Sequence, residues 1–194
     1  MNYPLTLTFK VIALAPQLSV TDASGQLVFY VRQKLMKLRE SVTVYADREQ
    51  KRAVTQIKAD RILDFNAVYG FEDPQGRRFG AVRRAGMRSL WKAQYEVLRG
   101  EAPMLTIRED SAFVRFMDGV IGDLPIIGLL SGYFFHPSYS VTRPDGTRVL
   151  HVKKQPALWE GRFTIEREAA LTPDEEASAV LSILMMVLLE RDRG

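Results

Sequence analysis

TPDEEASAVLSILMMVLLER, residues 172–191, decides the fold. Thr172 stands where an N-cap belongs, Pro173 occupies the first helical position, and Glu175 completes a capping box with Thr172. Asp174 and Glu176 add negative charge at the positive end of the helix. From Ala177 to Leu189 every residue is apolar except Ser178 and Ser182, and Glu190 and Arg191 close the segment. That run is 13 residues, whereas a bilayer span takes about 20. It has no polar face, so it is not built to lie on a surface. A short helix that is apolar all round belongs inside a protein core. In a chain otherwise written as strands, the inside of a closed barrel is the enclosure that fits. A tail anchor is the rival reading, and the length weighs against it.

Upstream, one hairpin pattern occurs three times: LSVTDASGQLVFYV (18–31), YGFEDPQGRRFGAV (69–82) and YSVTRPDGTRVLHV (139–152). Aligned on Gly25, Gly76 and Gly146, the columns hold Leu18, Tyr69 and Tyr139, then Val20, Phe71 and Val141, then Val31, Val82 and Val152. Apolar residues spaced by two on both arms predict strands with one buried face. Asp22, Asp73 and Asp145, with Pro74, Pro144 and the glycines, supply the turn chemistry. Each glycine is expected where the chain needs a positive φ. The unequal spacing of the copies argues against a solenoid or propeller and for one barrel or sandwich. Residues 5–12, 41–47, 53–59, 89–98, 104–107 and 163–166 are further strands, rich in β-branched and aromatic residues. The expectation is a mainly β protein, a closed antiparallel barrel of about a dozen strands around a buried apolar C-terminal helix, as a single domain over 1–194.

The chain is 194 residues long with no cysteine and two histidines, His136 and His151. Thiolate metal sites, disulfides and a cysteine nucleophile are thereby excluded. The start, MNYPLTLTFK, is not a signal peptide, and the reading is a cytoplasmic protein that meets a membrane, if at all, from its periphery. The net charge of +4 is uneven: residues 1–100 carry 17 Lys and Arg against 9 Asp and Glu, and the remainder 10 against 14. A basic half attracts phosphate-bearing partners. It is also what a solvated sheet face looks like.

Repeated Y/L-x-V-x-D-x-x-G hairpins, the strand SLWKAQYEVL (89–98) and a terminal apolar helix together resemble the tubby C-terminal-like superfamily. Within it, the LURP-one-related proteins and the phospholipid scramblase-like group are the nearest likeness. The resemblance implies a closed barrel of about twelve antiparallel strands around a central helix. It further implies binding of anionic lipid, since tubby domains hold phosphoinositides through basic side chains. A scramblase's proline-rich N-terminal region and cysteine-rich stretch have no counterpart here, so the implication stops short of lipid translocation.

Catalytic signatures are absent. GLLSG (128–132) places its serine one position too late for a nucleophile elbow, and no phosphate-cradling glycine loop occurs. Neither histidine has a ligand-spaced partner. Glu109-Asp110 and Glu175-Glu176 read as turn and helix-start residues. The expectation is a non-enzyme without cofactor or metal. Candidate anion-binding residues come from a fourth column of the repeat, Arg32, Arg83 and Lys153, with Lys34, Arg84 and Lys154 beside them. Strand alternation puts the first three on the face opposite Val31, Val82 and Val152, hence outward. Residues 119–135, GVIGDLPIIGLLSGYFF, read either as a plug at one barrel end or as an exposed apolar lip for lipid or a protein partner. A scaffold with a partner docked there is the alternative function. Nucleic-acid binding, suggested by Phe79, Trp91 and Tyr95 among basic residues, has no motif behind it.

Overall fold

Turn chemistry sets the architecture. In the first two repeated hairpins the aspartate three residues before the glycine organises the reversal. Asp22 Oδ1 accepts the N–H groups of Ser24 (2.9 Å) and Gln26 (3.0 Å), and Asp73 Oδ1 accepts those of Gln75 (3.1 Å) and Arg77 (2.8 Å). Gly25, Gly76 and Gly146 have φ of 80°, 82° and 87°, so a left-handed residue closes each turn as expected. A register shift follows at the same column, after Val20, Phe71 and Val141. This is the bulge that such a turn demands. The third hairpin keeps the backbone bonds (Arg143 N to Thr147 O, 2.9 Å) but has Arg143 where the others have aspartate. Asp145 accepts the Thr147 N–H at 2.8 Å. Arg143, released from turn duty, donates to Ala170 O at 2.8 Å and Glu175 at 3.3 Å, fastening this hairpin to the start of the helix.

The computed structural model describes residues 1–10, 17–32, 41–60, 67–85, 94–110, 137–156 and 160–191. Lys34, His136, Trp91 and the 119–135 segment lie outside them. Twelve strands follow one another as β1 (Leu5–Lys10), β2 (Gln17–Thr21), β3 (Leu27–Arg32), β4 (Ser41–Tyr45), β5 (Ala53–Ala59) and β6 (Val68–Glu72). Then come β7 (Arg78–Ala85), β8 (Gln94–Arg99), β9 (Ala102–Glu109), β10 (Ser138–Thr142), β11 (Arg148–Gln155) and β12 (Glu160–Arg167). Each pairs antiparallel with its neighbour in sequence, and β1 closes the ring on β12. The fold is mainly β, a closed antiparallel barrel. The repeat columns pair directly across each hairpin: Leu18 with Val31, Tyr69 with Val82, and Tyr139 with Val152.

The helix α1 (Pro173–Arg191) fills the barrel. Its start is the capping box read from the sequence: Glu175 N–H donates to Thr172 Oγ1 (3.3 Å) and Thr172 N–H to Glu175 Oε2 (2.9 Å). Every residue from Ser178 to Leu188 is buried. The apolar ones join one core with Leu18, Val31, Phe71, Val82, Val141 and Val152 of the three hairpins. The helix is off-centre, closest to β7 with β8 and β9 next. Gly80 of β7 makes that approach possible. A Cβ placed there would collide with Ser178 Oγ and lie 3.2 Å from Phe71 Cδ2. The tail-anchor reading ends here: among the described residues no helix is long and apolar enough to cross a membrane, and α1 is enclosed by its own chain.

The twelve seams are unequal. Among the described residues eleven are laddered over four or more residue pairs, whereas β3 and β4 meet at the single pair Tyr30–Tyr45. Few shared hydrogen bonds mean a low free energy of local opening. Amides of β3 that face β4 are therefore expected to exchange with solvent deuterium before those of β7 or β11. Equal protection on all three strands would contradict this.

Candidate functional site

The tight turns gather at one end of the barrel, where α1 begins. At the other end, here called the mouth, α1 finishes with Glu190 in its last turn. Alternation divides the candidate basic residues between two faces at this mouth. Arg32, Arg83 and Lys153 occupy one register position in the three hairpins, opposite Gln17, Val68 and Ser138. All three lie on the outer face. Because β3, β7 and β11 are four strands apart around the ring, these side chains point to three different sides and do not come together. Two are also engaged by acids on the neighbouring strand. Arg83 Nη2 lies 2.5 Å from Glu96 Oε2, and Lys153 Nζ lies 2.8 Å from Glu166 Oε2.

Arg84 and Lys154 share the inward face of Val82 and Val152. Tyr95, paired with Arg84, and Tyr139, paired with Glu109, face inward as well. Consecutive strands β7 to β11 thus present Arg84, Tyr95, Glu109, Tyr139 and Lys154 around the mouth, with Glu190 of the helix among them. Tyr95 donates its hydroxyl to Glu190 Oε1 at 2.5 Å, and Arg84 Nη2 stands 4.0 Å from the same oxygen. Arg84 Nε is buried without a hydrogen-bond acceptor. Among the described residues Lys154 has no ion-pair partner. This sector therefore has donors to spare.

Titration follows from that crowding. Burial, then the bond to Glu190, pushes the Tyr95 hydroxyl pKa well above its usual range. Tyr139 is raised by burial and by the carboxylates of Glu109 and Glu190. Both hydroxyls stay protonated at neutral pH; that of Tyr95 is spent on Glu190, and that of Tyr139 is available to donate. Glu109 is raised by burial first, then by Glu190 and Asp110.

Because α1 leans on β7–β9, space remains on its far side. A cavity of about 250 Å³ lies there, lined by Phe9 of β1, Tyr139, Lys154, Phe163 of β12, and Met186 and Glu190 of the helix. Its floor is apolar, and its rim carries an ammonium, a phenol and a carboxylate already bonded by Tyr95.

Sequence spacing missed the acids here. Glu109 and Asp110 are not turn residues. Glu109 ends β9 facing the mouth, while Asp110 organises an outer cluster, accepting from Ser138 (2.5 Å), Ser140 (2.6 Å) and His151 Nε2 (3.1 Å). Burial acts to raise the Asp110 pKa, but the bonds from Ser138, Ser140 and His151 outweigh it and hold the carboxyl below its ordinary value. A folded pKa below the unfolded one stabilises above the unfolded pKa of about 3.9, and that contribution is lost as pH falls through the folded value. Asp110→Asn should melt earlier than the parent at pH 6, and the gap should narrow as pH is lowered toward 3. A gap independent of pH would show that the carboxylate charge is not what stabilises.

Tyr95, one of the aromatics that interleave with basic residues in the sequence, is buried and bonded to Glu190 of the helix. No group of three or more metal-ligating side chains is present among the described residues.

A closed antiparallel barrel filled by its own C-terminal helix is the architecture that the resemblance to tubby-like proteins implied. A family model described as LURP-one-related matches residues 27–187, most of the chain. The chain belongs to the LURP-one-related family, which is part of the tubby-like superfamily. Comparisons with curated proteins and with solved structures return no match.

Proposed function

We propose that this protein is a non-catalytic binding module for an anionic, phosphate-bearing headgroup, engaged at the barrel mouth where the protein meets a membrane surface. The observation that carries the reading is the inward placement of Arg84 and Lys154. Arg84 has a buried Nε without an acceptor, and Lys154 lacks an ion-pair partner among the described residues. Buried or half-buried cations with unused donors are stabilised by an anion that supplies the acceptors. The outer cations Arg83 and Lys153 are already neutralised by Glu96 and Glu166, and contribute only a diffuse field. The Ser-Asp-His grouping outside β10 supports a non-catalytic role. Both hydroxyls and His151 converge on Asp110, so His151 is not placed as the base for either serine.

The test is co-sedimentation with vesicles containing phosphoinositide or phosphatidylserine, against neutral phosphatidylcholine, at low salt. Binding should favour the anionic vesicles, fall in Arg84→Gln with Lys154→Gln, and persist in Arg83→Gln with Lys153→Gln. Equal binding to neutral and anionic vesicles would remove the basis of the reading, and loss confined to the outer pair would move the site off the mouth.

A further inference from the structure

We infer that the cavity between α1 and strands β12 and β1 holds the hydrocarbon chain of a single-chain anionic amphiphile, such as a fatty acid, with its head at Lys154 and Tyr139. This rests on the headgroup reading above and adds a chain to it. Four features carry it. The cavity exists because the helix leans the other way, onto Gly80 of β7, so it belongs to the packing of the fold. Its walls, Phe9, Phe163, Met186 and Val187, accept only apolar groups. Its two available polar groups, the Lys154 ammonium and the Tyr139 hydroxyl, both donate to an anion. The carboxylate that shares the rim, Glu190, is occupied by Tyr95 and faces Arg84, which reduces its opposition to a second negative charge. At about 250 Å³ the cavity falls below the roughly 300–1,000 Å³ of sites for drug-sized molecules. A space of that size has no room for two alkyl chains.

Gly161 of β12 offers a direct probe. It lines the cavity opposite Phe9, and a Cβ there would meet Phe9 Cβ at 3.7 Å and Phe163 Cε2 at 3.9 Å, ordinary van der Waals distances. A side chain is therefore tolerated at the backbone and projects into the empty space. Dodecanoate below its micelle concentration, titrated calorimetrically into the full chain, should bind one per protein. Gly161→Leu should weaken it at least tenfold by occupying the chain's place. Lys154→Gln should weaken it roughly tenfold by removing a charge-assisted bond, and 1-dodecanol should bind the parent less tightly than dodecanoate. If Gly161→Leu melts early, Gly161→Ala fills part of the cavity and should give a smaller loss of the same sign.

No dodecanoate binding, or binding unchanged by Gly161→Leu and Lys154→Gln, overturns the inference. Vesicle preference separates the two proposals. Anionic vesicles bound without dodecanoate binding would sink the chain-in-cavity model alone, whereas dodecanoate bound without any vesicle preference would sink the membrane-headgroup reading alone.

Discussion

A chain ending at Thr172 will not fold. Without α1 the barrel loses the side chains from Ala179 to Leu188, all buried, and strands that now face them would face a hollow. A single buried Leu or Ile cut to Ala costs about 2–5 kcal/mol, against the roughly 5–15 kcal/mol that holds a domain together. Losing the whole helix exceeds that margin many times over. The expected result is an insoluble fragment or one without a cooperative melt by circular dichroism. Leu184, fully buried, grades the same effect in the intact chain. Leu184→Ala should lower stability by about 2–5 kcal/mol, and Leu184→Asp should do worse, because a lone carboxylate in that core has no partner. A 1–172 fragment melting like the parent would refute the enclosed helix.

The second large effect is expected at Gly80. A Cβ there strikes Ser178 Oγ and crowds Ser178 Cβ and Phe71 Cδ2, each at 3.2 Å. The obstacle is helix on one side and a fully buried ring on the other, so neither yields easily. Gly80→Val should cost about 1–3 kcal/mol or more through overpacking. Ser178→Ala, by contrast, removes a buried hydroxyl that has no partner and should be neutral or stabilising. Combining Gly80→Ala with Ser178→Ala should recover part of the Gly80→Ala loss, a coupling that thermal melts of the four proteins in a double-mutant cycle measure. Strict additivity would mean that the helix does not depend on this contact.

Much of this architecture was legible because it is written locally. Thr172, Pro173 and Glu175 mark the helix start by chemistry that acts within one turn, and the structure begins α1 at Pro173. Gly25, Gly76 and Gly146 mark left-handed residues for the same reason. The closed barrel followed from a global argument, that a helix apolar on all sides needs a wall on all sides. The site was less legible. Alternation placed Arg32, Arg83 and Lys153 on one face, but their separation around the ring depends on how many strands lie between them. Two adjacent cations, Lys153 and Lys154, differ in role only because one meets Glu166 outside and the other meets the cavity. Glu109 was invisible as a mouth residue because nothing within a few positions records that β9 continues inward-facing to its last residue. The 119–135 segment and Lys34 fall outside the described residues.

Closure of the ring carries a consequence for how the protein is made. Leu5 of β1 pairs with Ile165 of β12, so the first strand of the barrel waits for the last. While a ribosome adds the intervening residues, at about 5–20 per second, β1 has β2 on one side and an unsatisfied edge on the other. That edge carries LTLTF, residues 5–9, an alternating segment of the kind that pairs with other chains. The apolar helix that completes the core is made later still. Substitutions that delay β12 or α1 should therefore reduce soluble yield in cells more than they lower the melting temperature of what survives. For this barrel, the window of risk is set by the order of synthesis.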